Sequence, residues 1–229
     1  MLTSPFPDHI SFCLLPVQLS SSQRLHSAEE KYLNQVKSSH RIEQYRSGRI
    51  CAREALLRFG IRNKPIIRDP ETREPIWPDG FSGAITHSKN WAAAAVGKKT
   101  IISGIGIDLE DLKRNIDPRI SRHVCTKEEN EWLHKLDKSL LDQTLKLIFS
   151  AKESIFKAFF PSTKIFLHFH DAKILINNHI TNDLKSFQNS IIDFEYTLLN
   201  KEVIKQTKRT SGKGKAQFFE NNVLTSLYY

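Results

Sequence analysis

Residues 10–17 form a short β-type run entered after Pro5 and Pro7, and they predict a first strand. From about 28 to 59 the apolar residues fall at helical spacing, and Gly60 stands where a C-terminal cap is wanted, so one or two helices fill this span. Pro65, Pro70, Pro75, Pro78, Gly80 and Gly83 exclude a continuous helix beyond it, leaving Ile66-Ile67 as a short strand. Residues 83–88, a polar turn at Lys89-Asn90 and residues 91–96 read as a hairpin. The alanines at 92–95 favour helix by propensity, but six residues between two turns are too few to hold one. Residues 101–110 predict a central strand. Helices are expected over 118–138 and 140–160, the second stopped by Pro161. Residues 164–176, 191–199 and 217–228 are β-type, interrupted by a basic loop at 201–215. Strand, helices and strands thus occur in order twice, which predicts an α+β fold rather than regular βαβ alternation.

The doubling extends to individual residues. Ile50-Cys-Ala-Arg-Glu-Ala-Leu-Leu-Arg58 aligns without gaps on Phe149-Ser-Ala-Lys-Glu-Ser-Ile-Phe-Lys157, pairing Ala52 with Ala151, Arg53 with Lys152, Glu54 with Glu153 and Arg58 with Lys157. Two amphipathic helices match at apolar positions by construction; the polar matches are what point to duplication. The expected organisation is two similar subdomains, 1–103 and 104–229, with a ligand cleft between them.

Composition narrows the classes. A chain of 229 residues with 39% apolar and 26% charged residues is neither disordered nor a peptide, and no apolar run approaches the length that crosses a bilayer. Against 25 Asp and Glu stand 34 Lys and Arg, a formal charge of +9 that attracts phosphate-bearing ligands, nucleic acid or acidic proteins. Cys13, Cys51 and Cys125 are widely spaced and without a CxxC pair, which indicates neither a disulfide framework nor a zinc site and fits a reducing cytoplasm. The N-terminus shows no secretory signal pattern.

Asp108 and Glu110 lie two apart in the predicted central strand and so share a face, with Gly104 and Gly106 before them and Ile105, Ile107 and Leu109 opposite. Such a pair suits Mg²⁺, or it is a solvated strand end. In the following long helix, Phe149, Phe156 and Phe160 make one stripe with Glu153 on it. A carboxylate on an apolar face needs a cation, and Lys157 is four residues on. In the earlier helix, Arg46, Arg49 and Arg53 share a stripe with Ile42 and Leu56, which suits a bound phosphate or a basic face whose aliphatic stems cover the core. His87 by itself is uninformative.

Taken together, Gly48-Arg-Ile-Cys-Ala-Arg-Glu-Ala-Leu56, Glu74-Pro-Ile-Trp-Pro-Asp-Gly80, Gly83-Ala-Ile-Thr-His-Ser88, Gly104-Ile-Gly-Ile-Asp-Leu-Glu110 and Phe149-Ser-Ala-Lys-Glu-Ser-Ile-Phe-Lys-Ala158 resemble the Sfp-type 4'-phosphopantetheinyl transferases, particularly the enterobactin synthetase component D branch. The resemblance covers roughly residues 40–160; each motif alone is weak, their joint order specific. It implies a pseudo-twofold pair of α+β subdomains with coenzyme A and Mg²⁺ in the cleft. It further implies transfer of phosphopantetheine to a serine of a carrier-protein domain of siderophore, nonribosomal-peptide or polyketide assembly. Carried over by motif, Asp108, Glu110 and Glu153 form the Mg²⁺ site, Lys157 contacts the reacting phosphates, Thr86 and His87 contact the coenzyme, and Arg41, Arg49 and Arg68 are phosphate ligands. Glu153 is the candidate general base. A monomer is expected, since the small trimeric carrier-protein synthases are shorter chains, although a fatty-acid carrier remains an alternative substrate. The rival class, a nucleic-acid-binding protein, is motivated by the charge but lacks any recognisable nucleic-acid motif.

Overall fold

Strand β1 (Ile10–Pro16) pairs antiparallel with β3 (Trp91–Lys98), which also pairs with β2 (Phe81–His87), giving a three-stranded sheet in the order β1-β3-β2. The computed structural model describes residues 2–17, 24–176 and 189–229. Ala92–Val96 is fully buried, because both faces of the middle strand are covered. Helices α1 (Ser27–Leu33) and α2 (Ser39–Leu57) precede β2, and α2 packs Cys51, Ala52, Ala55 and Leu56 on Ala92, Ala94 and Val96. The 66–67 strand reduces to a single bridge between Arg68 and Pro75.

The second sheet has the order β4-β8-β7-β6-β5, from β4 (Ile105–Asp111), β5 (Ala172–Ile176), β6 (Ile191–Leu198), β7 (Ser211–Phe219) and β8 (Asn222–Tyr228). The odd residues of β4, Ile105, Ile107 and Leu109, pack with Ala93 and Ala95 of the first sheet. Its other face, with Leu227, Ala216 and Phe218 from its neighbours, lies under the long helix α5 (Lys138–Thr163). The chain therefore stacks as helix, sheet, sheet, helix.

Further expectations are corrected. The strand expected over 101–110 begins at Ile105 and stands at the edge of its sheet rather than at its centre. Pro161 does not stop α5. It sits in the last turn, where Thr163 Oγ1 and Ser162 Oγ donate to the Phe159 carbonyl at 2.9 and 3.1 Å, and the helix ends at Lys164 in the left-handed conformation. The helix expected over 118–138 is broken into a 3-10 turn, α3 (Ser121–Val124) and α4 (Lys127–Leu133). The strand expected from 164 begins only at Ala172. The basic loop at 201–215 is not a loop: Asn200 caps helix α6 (Lys201–Thr207), and Ser211 opens β7. Gly212 and Gly214 sit in register with Tyr196 and Phe194, where a Cβ on Gly214 would come within 2.2 Å of the Phe194 ring. The glycines make room for cross-strand aromatic rings rather than for flexibility. The β-type stretch 217–228 is a hairpin, turned at Glu220-Asn221 with positive φ at both residues.

One arrangement recurs in both halves. Glu29 closes a capping box on His26, accepts the Ile66 N–H at 2.8 Å and pairs with Arg53 at 3.2 Å. Glu129 closes a capping box on Thr126, accepts the Ile174 N–H at 2.5 Å and pairs with Lys152 at 2.6 Å. Arg53 and Lys152 are the residues that the two aligned segments match.

Candidate functional site

Strand alternation sends Gly104, Gly106, Asp108 and Glu110 to the α5 side of β4. A Cβ on Gly106 would stand 1.8 Å from the Ser154 carbonyl oxygen, and one on Gly104 would stand 2.3 Å from that of Ala158. The two glycines thus let the α5 backbone lie directly on the strand. Ser150 and Ser154 lock the helix to Thr225 of β8 through hydroxyl contacts of 2.8 and 2.7 Å. This close approach brings Glu153 and Lys157 to the two carboxylates.

Lys157 Nζ is 2.7 Å from Asp108 Oδ1, and Thr86 Oγ1 donates to the same oxygen at 3.2 Å. Asp108 Oδ2 is buried without a hydrogen-bond partner. Burial, then the Asp108 charge, pushes Glu110 from 4.5 up to about 7, against the pull of Arg114 and Lys157. Burial followed by Asp108 also raises Glu153, with Lys157 opposing. Lys157 acts on both Glu110 and Glu153 and pairs with Asp108, and Arg114 acts on Glu110. Among the described residues the three carboxylates do not close into a ready-made metal cage. The chemistry of the set nevertheless fits a hard divalent ion: oxygen donors only, one buried oxygen orphaned, and excess negative charge that a cation would relieve.

Thr86 and His87 are adjacent on β2 and point opposite ways. Thr86 faces β4 and holds Asp108; His87 faces α2, where its Nε2 is 3.3 Å from Arg41 Nη1. Burial, followed by the Arg41 and Lys157 charges, lowers His87 to about 4, so its ring is neutral at physiological pH. Arg41 Nη1 also donates to Gln44 Oε1 at 3.2 Å. A cavity of about 620 Å³ is lined by Arg41, Gln44, His87, Glu110, Lys113 and Arg114, joining the two halves.

Arg49 is buried and stacks over the Tyr45 ring at 4.4 Å, with Nε lacking a partner. Arg68 stacks over Tyr32 at 4.9 Å and donates to its hydroxyl. The two tyrosine rings lie 4.6 Å apart, tilted at 36°, and each carries one of the two guanidiniums. Burial lowers Arg68, and among its neighbours Arg73, Arg49 and Arg41 act in the same direction, a sign of crowded positive charge. Arg53, expected on the phosphate stripe, is instead committed to Glu29.

The phenylalanine stripe of α5 is also not the core face. Leu147, Ile148, Ala151, Ile155, Ala158 and Phe159 are buried, whereas Phe149, Phe156 and Phe160 are half-exposed. Phe156 and Glu153 instead line a groove of about 510 Å³ with Phe166, Leu167 and His168. Helical periodicity locates the stripe but cannot say that a loop will face it. Gln44, Tyr32, Tyr45 and Phe166 escape sequence reasoning; only the i, i+3 spacing of Arg41 and Gln44 hints at one of them. In the N-terminal half, the counterparts of Glu153 and Lys157 lie at the surface: Glu54 is exposed and Arg58 approaches the exposed Asp8 at 3.8 Å.

Comparison with known proteins identifies the family. Residues 28–97 match the 4'-phosphopantetheinyl transferase N-terminal domain, and residues 104–209 match the 4'-phosphopantetheinyl transferase superfamily. The chain is 34% identical over 171 residues to 4'-phosphopantetheinyl transferase Npt of Nocardia iowensis, covering 70% of this chain and 74% of that protein. It is 30% identical over 171 residues to enterobactin synthase component D of Salmonella typhi, covering 69% and 68%. With 4'-phosphopantetheinyl transferase Svp of Streptomyces mobaraensis it shares 35% identity over 139 residues, 60% of this chain and only 55% of the relative's length. The chain belongs to the 4'-phosphopantetheinyl transferase family.

Proposed function

We propose that the protein transfers the 4'-phosphopantetheine group of coenzyme A to a serine hydroxyl of an apo carrier-protein domain and releases 3',5'-ADP. One observation carries this reading: a carboxylate cluster short of positive charge joins a cationic cavity to an apolar, aromatic groove. A ligand matching that sequence carries phosphates at one end, a pyrophosphate in the middle and an extended, largely apolar arm at the other. Arg41 and His87 suit the coenzyme's phosphates, with Arg49 and Arg68 supplying further positive charge, while Phe156 and Phe166 suit the arm.

Asp108, Glu110 and Glu153 would hold Mg²⁺, which when bound neutralises charge on the pyrophosphate. Lys157 is oriented by Asp108 and can share its protons with a phosphate oxygen. Thr86 fixes the rotamer of Asp108. In the transfer the serine oxygen bonds to the pantetheine-side phosphorus, the bridging P–O bond breaks, and 3',5'-ADP leaves with its electron pair. Glu153, raised by burial and by Asp108, is the candidate to accept the serine proton. Positioning and charge neutralisation supply most of the acceleration, as in other phosphoryl transfers. The repeated glutamate arrangement and the aligned helices support reading the chain as a duplicated, pseudo-twofold pair of halves, and a monomer follows from that reading. No helix among the described residues is long and apolar enough to cross a membrane, which is compatible with the expected cytoplasmic location.

The test is mass spectrometry of a panel of apo carrier domains, of siderophore, polyketide and fatty-acid type, after incubation with coenzyme A and Mg²⁺. A mass gain of one phosphopantetheine with release of 3',5'-ADP is expected on at least one carrier. No gain on any of them, with salt-sensitive nucleic-acid binding indifferent to coenzyme A, would favour the nucleic-acid reading instead.

A further inference from the structure

Arg41 is exposed on the first turn of α2, yet its guanidinium is not left to wander. Nη1 meets two acceptors, Gln44 Oε1 and His87 Nε2, at 3.2 and 3.3 Å. Neither is charged, since the buried histidine ring is neutral at physiological pH. Among the described residues Arg41 makes no ion pair, so it is oriented without being neutralised. Gln44 is itself buried, and its other end donates from Nε2 to the Ser88 carbonyl at 3.0 Å. Ser88 Oγ donates in turn to Asn222 Oδ1 at 3.0 Å, and Asn222 stands opposite Asp111 of β4 in the strand register. A side chain asked to accept from a guanidinium and donate to a carbonyl fits the pattern of a carboxamide. A carboxylate there would cancel the Arg41 charge and set its second oxygen against the Ser88 carbonyl.

We infer that Gln44 is a positioning residue of the anion site, fixing Arg41 and registering it against β4 of the other half while leaving its charge free for a phosphate-bearing ligand. The inference rests on the coenzyme reading above and adds to it the residue that presents the cation.

Calorimetric titration of the full chain with 3',5'-ADP tests it without requiring chemistry. Gln44→Glu retains size and adds a counter-charge; it is expected to keep its thermal midpoint yet bind about tenfold more weakly, the worth of one charge-assisted contact. Gln44→Met removes both hydrogen bonds and is expected to lose roughly threefold or more. In an Arg41→Ala background neither substitution should change affinity by more than about twofold, because its effect runs through the missing guanidinium. Should Gln44→Glu fail to fold, the cycle with Gln44→Met decides alone. Undiminished affinity in the variants, or losses that persist in full without Arg41, would overturn the inference. A wild-type chain that binds no 3',5'-ADP at all refutes the coenzyme reading, and the role of Gln44 with it.

Discussion

Glu110→Gln in metal-free protein should stabilise the fold, and by an amount that depends on pH. The carboxyl is held at about 7 rather than 4.5, by burial first and by the Asp108 charge second. Between these values the native state keeps a proton that the unfolded chain has released. Native protein therefore binds more protons than unfolded protein, and stability falls as pH rises through this window. The full penalty, present above pH 7, is about 3 kcal/mol, an order-of-magnitude figure for one carboxylate displaced this far. Below about pH 4.5 the carboxyl is protonated in both states and resembles the amide. Urea denaturation in chelator across pH 4.5 to 8 should thus show wild type and variant converging at the acid end and separating by up to about 3 kcal/mol at the alkaline end. Mg²⁺ should then rescue the wild type: at one hundred times its dissociation constant it adds about 2.7 kcal/mol to whichever protein binds it. The variant, with one oxygen donor weakened, should gain less. Denaturation midpoints that differ by a constant across the whole range would refute the electrostatic account of Glu110.

Three further outcomes follow from other contacts. Glu129→Gln strands the buried Lys152 ammonium and should cost about 3–5 kcal/mol of unfolding free energy, whereas Glu29→Gln, facing the partly exposed Arg53, should cost less; a loss under about 1 kcal/mol at Glu129 would show the pair to be dispensable. Phe166→Ala should raise KM for coenzyme A by roughly threefold to tenfold while leaving inhibition by 3',5'-ADP unchanged, since only the former carries the arm; equal weakening of both would remove the groove from the site. Replacing Lys205, Lys208 and Arg209 by Gln should raise KM for an acidic carrier at low salt and lose its effect as salt increases, with KM for coenzyme A unmoved; an unchanged carrier KM at low ionic strength would leave α6 and its following turn without a steering role.

The legible parts of this protein were those where a period of two or of 3.6 does the placing. Strand alternation alone set Asp108 and Glu110 on one face and Ile105, Ile107 and Leu109 on the other, as the structure has them. Four-residue spacing set Glu153 and Lys157 on one side of α5. What failed was inference about the partner surface. The stripe Phe149, Phe156 and Phe160 marks an apolar side of α5, yet the face pressed on the glycines of β4 carries Ser154 and Ala158, whose small size is the point. Gly212 and Gly214 have the composition of a loop, and only the rings opposite them explain their place in a strand. Gln44 carries only the i, i+3 spacing from Arg41: its value lies in what the ends of its amide touch, and those partners are 3 and 44 residues away in sequence.

The contact of α5 with β4 is limited by main chain, not by packed side chains. Carbonyl oxygens of Ser154 and Ala158 already rest where the absent methyls of Gly106 and Gly104 would be. The distance between α5 and the acidic strand therefore stands at its hard floor. Substitution at either glycine can widen the gap but none can narrow it, which gives the site a one-sided tolerance. Drift at these two positions has only a single direction in which to do harm, and a second change elsewhere could compensate only by removing bulk, never by adding it.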